Sequence, residues 1–414
     1  MIRSLLSLLF ASLLLTSAPA QAATTPEQND SVSEKAETRD PVTILISIDG
    51  FRPDYLDRGI TPNLRALAAT GIYGPMRPSF PSKTFPNHWT LVTGKTPDHH
   101  GIVGNTMEDA ARPGEIFKMA TKDPFWWSEA EPIWISAEKQ GIRSATMFWP
   151  GSEVEIDGLR PADWWPFNEN LSNDRRINAV LDWMRRPAEI RPKLVTLYFD
   201  TVDMAGHYYG PAPSENLHKA IAAVDGEIGR LKQQLDHLGQ PANFVIVSDH
   251  GMTETSPERI IHLDPILPRD QYRLVEEGNY AGIEPLEDNA DAVRAAFVRP
   301  HDHMQCWTRE NIPAEYAYGS NPRVPSILCL PDIGWVIYQD LPEWMTGIGG
   351  GHGYDQREAD MRAFFLASGP GIMAGGTLPI FDNVNVYSLV ARLAGIAPEA
   401  SDGSLAPFEP MLSH

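Results

Sequence analysis

The sequence predicts an α/β fold in three layers: a mostly parallel central sheet, helices on both faces, and an inserted lid subdomain. Three observations predict it. Short apolar runs alternate with longer amphipathic stretches, the pattern of parallel strands joined by helical crossovers. Runs such as Val42 to Ile48 and Asn243 to Ser248 are largely apolar throughout rather than alternating, as strands covered on both faces are. From about residue 256 to 345 this rhythm stops, Pro, Glu, Asp and Arg become frequent, and an insertion is the simplest reading.

Taken in order, residues 1–22 hold one charge, Arg3, an apolar run from Leu5 to Leu15, and the small residues of Ala20-Gln21-Ala22. They read as a secretory signal peptide. The run is shorter than the roughly 20 residues that span a bilayer, and no cysteine follows it for lipid attachment. Residues 23–41, rich in Thr, Ser, Glu, Gln and Asn, read as a flexible leader. The catalytic domain is expected over 42–414, with no membrane span, exported to a bacterial periplasm or secreted.

The strand Val42 to Ile48 closes on Asp49-Gly50. Thr61-Pro62-Asn63 then opens a helix with Thr61 as cap, Pro62 in the first turn, and Leu64, Leu67 and Ala68 facing inward. Further strands are expected at Ser144 to Phe148, Lys193 to Phe199, Asn243 to Ser248, Trp335 to Tyr338 and Ala363 to Ala367. Helices precede three of them, over Ile133 to Gln140, around Ile177 to Met184, and over Ser214 to Leu238.

The 414 residues carry a formal charge of −20, or −21 once Arg3 is removed. Such a surface opposes stable nucleic-acid binding, which rests on phosphate neutralisation by Lys and Arg. The only two cysteines, Cys306 and Cys329, are expected to form a disulfide in an oxidising compartment.

Polar residues cluster where an open α/β sheet binds ligands, beyond the carboxyl ends of its strands. Asp49 ends the first strand and Asp249-His250 end another. Asp203 follows the strand ending at Phe199, with His207 four residues on, and His352 lies in Gly349-Gly350-Gly351-His352-Gly353. Each alone is an ordinary turn or helix-face residue. Together, three carboxylates and three imidazoles exceed what one ion uses and favour a two-metal hydrolytic site. Thr84 completes the set, bracketed by Pro81 and Pro86 and followed by a short helix-like run ending at Gly94.

The stretch from Ser82 to Gly94 with His100-Gly101-Ile102-Val103-Gly104-Asn105 resembles the nucleotide pyrophosphatase/phosphodiesterase family of the alkaline phosphatase superfamily. So do Trp149-Pro150-Gly151-Ser152-Glu153, Asp203-Met204-Ala205-Gly206-His207, Ser248-Asp249-His250-Gly251-Met252 and Gly351-His352-Gly353-Tyr354, all in order between about 42 and 390. The resemblance implies an alkaline-phosphatase-like fold and two zinc ions. One would be held by Asp203, His207 and His352, the other by Asp49, Asp249, His250 and the Thr84 oxygen. Thr84 would be the nucleophile, Asn105 would bind a phosphate oxygen, and the product would be a nucleoside monophosphate.

Sulfatases of that superfamily carry Cys or Ser followed by Pro and Arg, whereas this chain has Thr84-Phe85-Pro86-Asn87-His88. The Lys-x-Arg pair of threonine-type monoesterases is absent between Trp149 and Phe167. Phe85 is a candidate stacking wall for a nucleobase, with Trp164 or Trp165 as the facing wall. His262 and His301 to His303 read as surface residues. Two other readings stay open: a relative hydrolysing phosphonoacetate or phosphomonoesters with the same two zincs, and a catalytically silent binding protein.

Overall fold

The computed structural model describes residues 37–413 apart from 287, 341 and 343–346, so the signal peptide and most of the leader lie outside the described residues. From Arg39 onward the chain forms one compact unit. A nine-stranded sheet runs through it. Five strands are parallel neighbours, in the order Ala242–Val247, Val42–Ile48, Leu194–Phe199, Ser144–Met147 and Asp163–Trp165. Ala363–Ser368 joins antiparallel beside Ala242–Val247 and pairs in turn with Ile72–Arg77.

Both faces of the sheet are covered, which is why its strands are apolar at nearly every position. Leu45, Val245, Val247 and Phe365 pack on one side with the helices Thr84–Thr93, Ile133–Lys139 and Asn385–Ala394. Ile44, Ile46, Phe244 and Phe364 pack on the other with Pro62–Ala69, Asn173–Met184 and Glu215–His237. Among the described residues, no helix is long and apolar enough to cross a membrane.

Several expectations change in detail. The helix after Thr61 is not capped by Thr61, whose hydroxyl donates to Leu56 O at 3.1 Å. Asp225 of the long helix takes its first amides instead, accepting from Asn63 N at 3.1 Å and Leu64 N at 2.8 Å. The carboxylate so satisfies orphan donors of one helix from inside another. The strand Val336–Tyr338 lies outside the central sheet and pairs with Ile260–His262. The strand Ile72–Arg77 is absent from the sequence reading because Gly74 and Pro75 interrupt it. Pro75 is tolerated because one flank of this strand is broken there: Gly376–Thr377 pairs beside Ile72 and Tyr73, Phe381–Asp382 beside Met76 and Arg77.

The stretch from 256 to 345 is more regular than its composition implies. It contains a four-stranded antiparallel sheet, ordered Tyr272–Glu276, Ala281–Pro285, Ile327–Pro331 and Met304–Thr308, with the helix Ala290–Phe297 packed on it. Cys306 and Cys329 face each other across the last pair and are disulfide-bonded. Its neck is clasped by Thr253–Thr255 pairing antiparallel with Gly349–Gly351. Tyr280, Tyr316 and Tyr318 reach back to pack around Phe80, just ahead of the Thr84 helix, with ring centroids at 6.3, 4.8 and 5.2 Å.

Candidate active site

Thr84 is the first residue of a helix running to Thr93, so the helix starts five residues earlier than the apolar run suggests. Pro86 sits in the first turn, where a missing amide hydrogen costs nothing. Gly94 ends the helix in the left-handed region, at φ 68°. The loop before Thr84 is held by the buried Asn87, whose amide donates to Pro81 O at 3.0 Å and Lys83 O at 2.9 Å. Its oxygen accepts from Ser79 N at 2.7 Å and Asn383 Nδ2 at 2.8 Å. Phe85 N donates to Asn105 Oδ1 at 3.0 Å, which leaves the Asn105 amide hydrogens as the free donor end of that side chain.

The six predicted ligands converge. Asp49 and Asp249 come from the ends of neighbouring parallel strands, and Asp203 and His207 occupy one face of the helix Thr201–Tyr209. His250 and His352 enter from the two sides of the insertion's neck, their rings stacked at 3.5 Å. Thr84 Oγ1 lies 3.3 Å from His250 Nε2, which is 3.0 Å from Asp249 Oδ2 and 3.3 Å from Asp49 Oδ1. Beside this group, His207 Nε2 is 3.3 Å from Asp203 Oδ2 and 3.2 Å from His352 Nε2.

Backbone carbonyls set the direction of every ring. The Nδ1 atoms of His207, His250 and His352 contact Gly350 O, Gly251 O and Ser82 O at 2.8, 2.9 and 2.9 Å. A carbonyl only accepts, so Nδ1 carries a proton and Nε2 is the ring nitrogen turned inward. His88 is built differently. Its Nδ1 donates to Thr84 O at 2.8 Å, and its Nε2 accepts from Ser47 Oγ at 2.8 Å, so it supports the Thr84 helix and has no free lone pair.

This donor set fits metal ions. Ligands about 2.0–2.1 Å from one tetrahedral ion stand about 3.3 Å apart, the spacing seen here. Asp49 Oδ1, Asp203 Oδ1 and Asp249 Oδ2 are buried with no hydrogen-bond partner, an expensive arrangement unless a cation takes them. Three sets of side chains lie close enough to hold an ion: Asp203 with His207 and His352, Asp49 with His88 and Asp249, and Asp49 with Asp203 and His250. Burial, then the carboxylates of Asp249 and Asp203, push the Asp49 carboxyl well above its ordinary range. Burial also works against ionisation of Asp203 and Asp249, but His207 beside the first and His250 beside the second hold both low.

Tyr198 was not singled out by the sequence. Its hydroxyl, at the end of an apolar strand, donates to Asp49 Oδ2 at 2.6 Å, and an apolar run gives no sign of such a contact. The cleft in front of the cluster measures about 640 Å³ and is lined by Thr84, Phe85, Asn105 and Phe167 among others. Phe85 packs against Phe117 and Trp127 at 6.2 and 6.0 Å between centroids. Trp164 and Trp165 are on the outermost strand, 36% and 45% exposed, and do not line the cleft. Phe167 does line the cleft, and its amide donates to Glu153 Oε1 at 2.9 Å. Glu153 also pairs with Lys122. His303, expected without a companion, stacks on Trp335 and pairs with Asp332 at 3.0 Å, away from the cleft.

A parallel α/β sheet that gathers carboxylates, imidazoles and a helix-borne threonine at its strand ends defines an enzyme of the alkaline phosphatase superfamily. Residues 43–355 match the family model of the type I phosphodiesterases / nucleotide pyrophosphatases, and the chain belongs to that family. The chain is 35% identical over 377 residues to Bis(5'-adenosyl)-triphosphatase enpp4 of Xenopus laevis, covering 90% of this chain and 82% of the frog protein. It is 34% identical over 375 residues to human ectonucleotide pyrophosphatase/phosphodiesterase family member 5, covering 89% and 78%. The solved structure of the murine member 5 superposes with a TM-score of 0.85 at 34% identity, over 90% of this chain and all of that one. An inactive threonine-to-alanine variant of the murine protein is known in complex with AMP, with a similar fit.

Proposed function

We propose that this chain hydrolyses phosphodiester or pyrophosphate bonds in nucleotides and related compounds with two zinc ions, through a covalent threonine intermediate, releasing a nucleoside monophosphate. The observation that carries the proposal is Thr84 Oγ1 standing 3.3 Å from a ring nitrogen of a buried cluster whose carboxylate oxygens lack partners. Asp203, His207 and His352 would hold one ion, and Asp49, Asp249, His250 and Thr84 the other; the nitrogen and oxygen donors suit zinc. When bound, the ions supply Lewis acidity at the attacking and departing oxygens of an in-line displacement.

The chain's own residues do the rest. Thr84, deprotonated, forms a bond from Oγ1 to phosphorus while the opposite P–O bond breaks and its electron pair leaves with the first product. The helix starting at Thr84 fixes that oxygen, and its N-terminal end favours the anionic phosphoryl group. Asn105, oriented by Phe85 N, offers its amide hydrogens to a non-bridging oxygen. Phe85 and Phe167 are placed to flank a nucleobase. Water then attacks phosphorus from the face the first product left, the Oγ1–P bond breaks, and Thr84 is restored. A nucleotide substrate accords with the names of the relatives and with the AMP complex of the murine one, and its inactive threonine variant accords with a threonine nucleophile. The catalytic domain would span 42–414 with 256–345 as its lid. Export through residues 1–22 accords with the Cys306–Cys329 disulfide, a bond at home in an oxidising compartment.

Purified protein dialysed against a chelator should lose turnover of bis-p-nitrophenyl phosphate and regain it on zinc addition. It should prefer that diester to p-nitrophenyl phosphate. Full activity without metal would refute the proposal, and preference for the monoester would redirect it to a phosphomonoesterase.

A further inference from the structure

We propose that the departing side of the cleft is a subsite for an uncharged aromatic or apolar leaving group, formed by Met204, Tyr208 and Ile348. Phosphodiesters of aromatic alcohols or nucleosides would then be favoured over nucleoside triphosphates, whose leaving group is pyrophosphate. This rests on the phosphodiesterase reading above. Thr84 stands with His250, Asp249 and Asp49, so an in-line leaving group departs on the opposite side, past Asp203, His207 and His352. Asp203 and His207 lie on the helix Thr201–Tyr209.

That helix carries an exposed apolar ridge out of the cleft. Met204 lines the cleft and is 46% exposed. Tyr208, four residues on and so on the same helix face, is 68% exposed. Ile348, 63% exposed, lies beside the helix's end at Gly210, where an added Cβ would be 3.9 Å from its Cγ2. Met204 is open at the cleft itself, and Tyr208 and Ile348 extend the exposed apolar surface along and past the helix.

The charges agree. From Asp200 to Tyr209 there are two aspartates, one histidine and no lysine or arginine. Among the described residues, the cleft is lined by five carboxylates and only two ammonium groups, those of Lys83 and Lys122. Lys83 is buried and donates to Asn279 Oδ1 at 3.4 Å. Lys122 is paired with Glu153, which holds the Phe167 wall. No lysine or arginine lies on the helix that a departing pyrophosphate would pass, and Arg58, which donates to Pro211 O beyond its end, is paired with Asp54, whereas an aromatic ring meets Met204 and Tyr208.

The test uses two compounds with the same transferred group, the p-nitrophenyl ester of thymidine 5′-monophosphate and thymidine triphosphate, on the full zinc-loaded protein. Tyr208→Ala should raise KM for the ester about three- to tenfold, the worth of one aromatic contact, with kcat little changed. Met204→Lys should lower the ester-to-triphosphate ratio of kcat/KM by about tenfold, and added salt should shrink that change. Ratios within about twofold of wild type in both variants would overturn the subsite while leaving the phosphodiesterase reading intact. Failure to turn over either compound would overturn both.

Discussion

At the scale of single residues, the site separates groups that react from groups that aim them. Thr84→Ala should cut turnover by at least about 10³-fold while the protein still binds close to two equivalents of zinc, because six of the seven proposed donors remain. Asp249→Asn should lose metal as well as activity, since a neutral amide replaces a carboxylate buried beside His250. Elemental analysis of both proteins beside their activity checks the pair. Tyr198 belongs to the second group. Its hydroxyl fixes Asp49 Oδ2 at 2.6 Å, so Tyr198→Phe should weaken zinc binding by about 10- to 100-fold, the usual worth of a partner behind a ligand. Competition with a chromogenic chelator measures this directly, and an unchanged affinity would show the bond to be incidental.

At the scale of elements, the helix Thr84–Thr93 is held from behind by a histidine that should tie stability to pH. His100 is buried, with Nδ1 accepting from Ile102 N at 3.1 Å and Nε2 facing Pro86 O and Thr90 Oγ1 at 3.1 and 3.0 Å. Burial drives its pKa down to about 3, against about 6.5 in the unfolded chain. A folded value below the unfolded one means that stability present above pH 6.5 is lost as pH falls toward 3, at up to about 1.4 kcal/mol per unit. Denaturant titrations between pH 7 and 4 should show that slope, and His100→Gln should flatten it. Element by element, long periodic segments were the legible ones: the continuous strands around Asp49 and Asp249, and the 23-residue helix Glu215–His237. The early start of the Thr84 helix, the strand through Pro75 and the cap from Asp225 were not. Each depends on a partner distant in sequence, such as a broken sheet edge or a carboxylate more than 160 positions away.

At the scale of the whole molecule, the candidate ligands were legible for the opposite reason. Asp49, Asp249 and His250 sit directly after apolar strands, Asp203 a few residues past another, and His352 inside a glycine run, so local pattern alone exposed them. The place of Phe167 in the cleft was hidden because Trp164 and Trp165 look like better aromatic candidates until the sheet order puts them on its outer edge. The insertion, featureless by composition, proves to be tied to the reaction centre. Its tyrosines pack on Phe80 and its neck carries His250 and His352. Its disulfide spans 23 positions and includes the exposed turn around Glu310. A protease that cuts once in that turn therefore produces two pieces that still migrate as one band on a denaturing gel. Only a reducing agent in the sample buffer would reveal the nick, and a preparation judged intact without one can consist of severed chains.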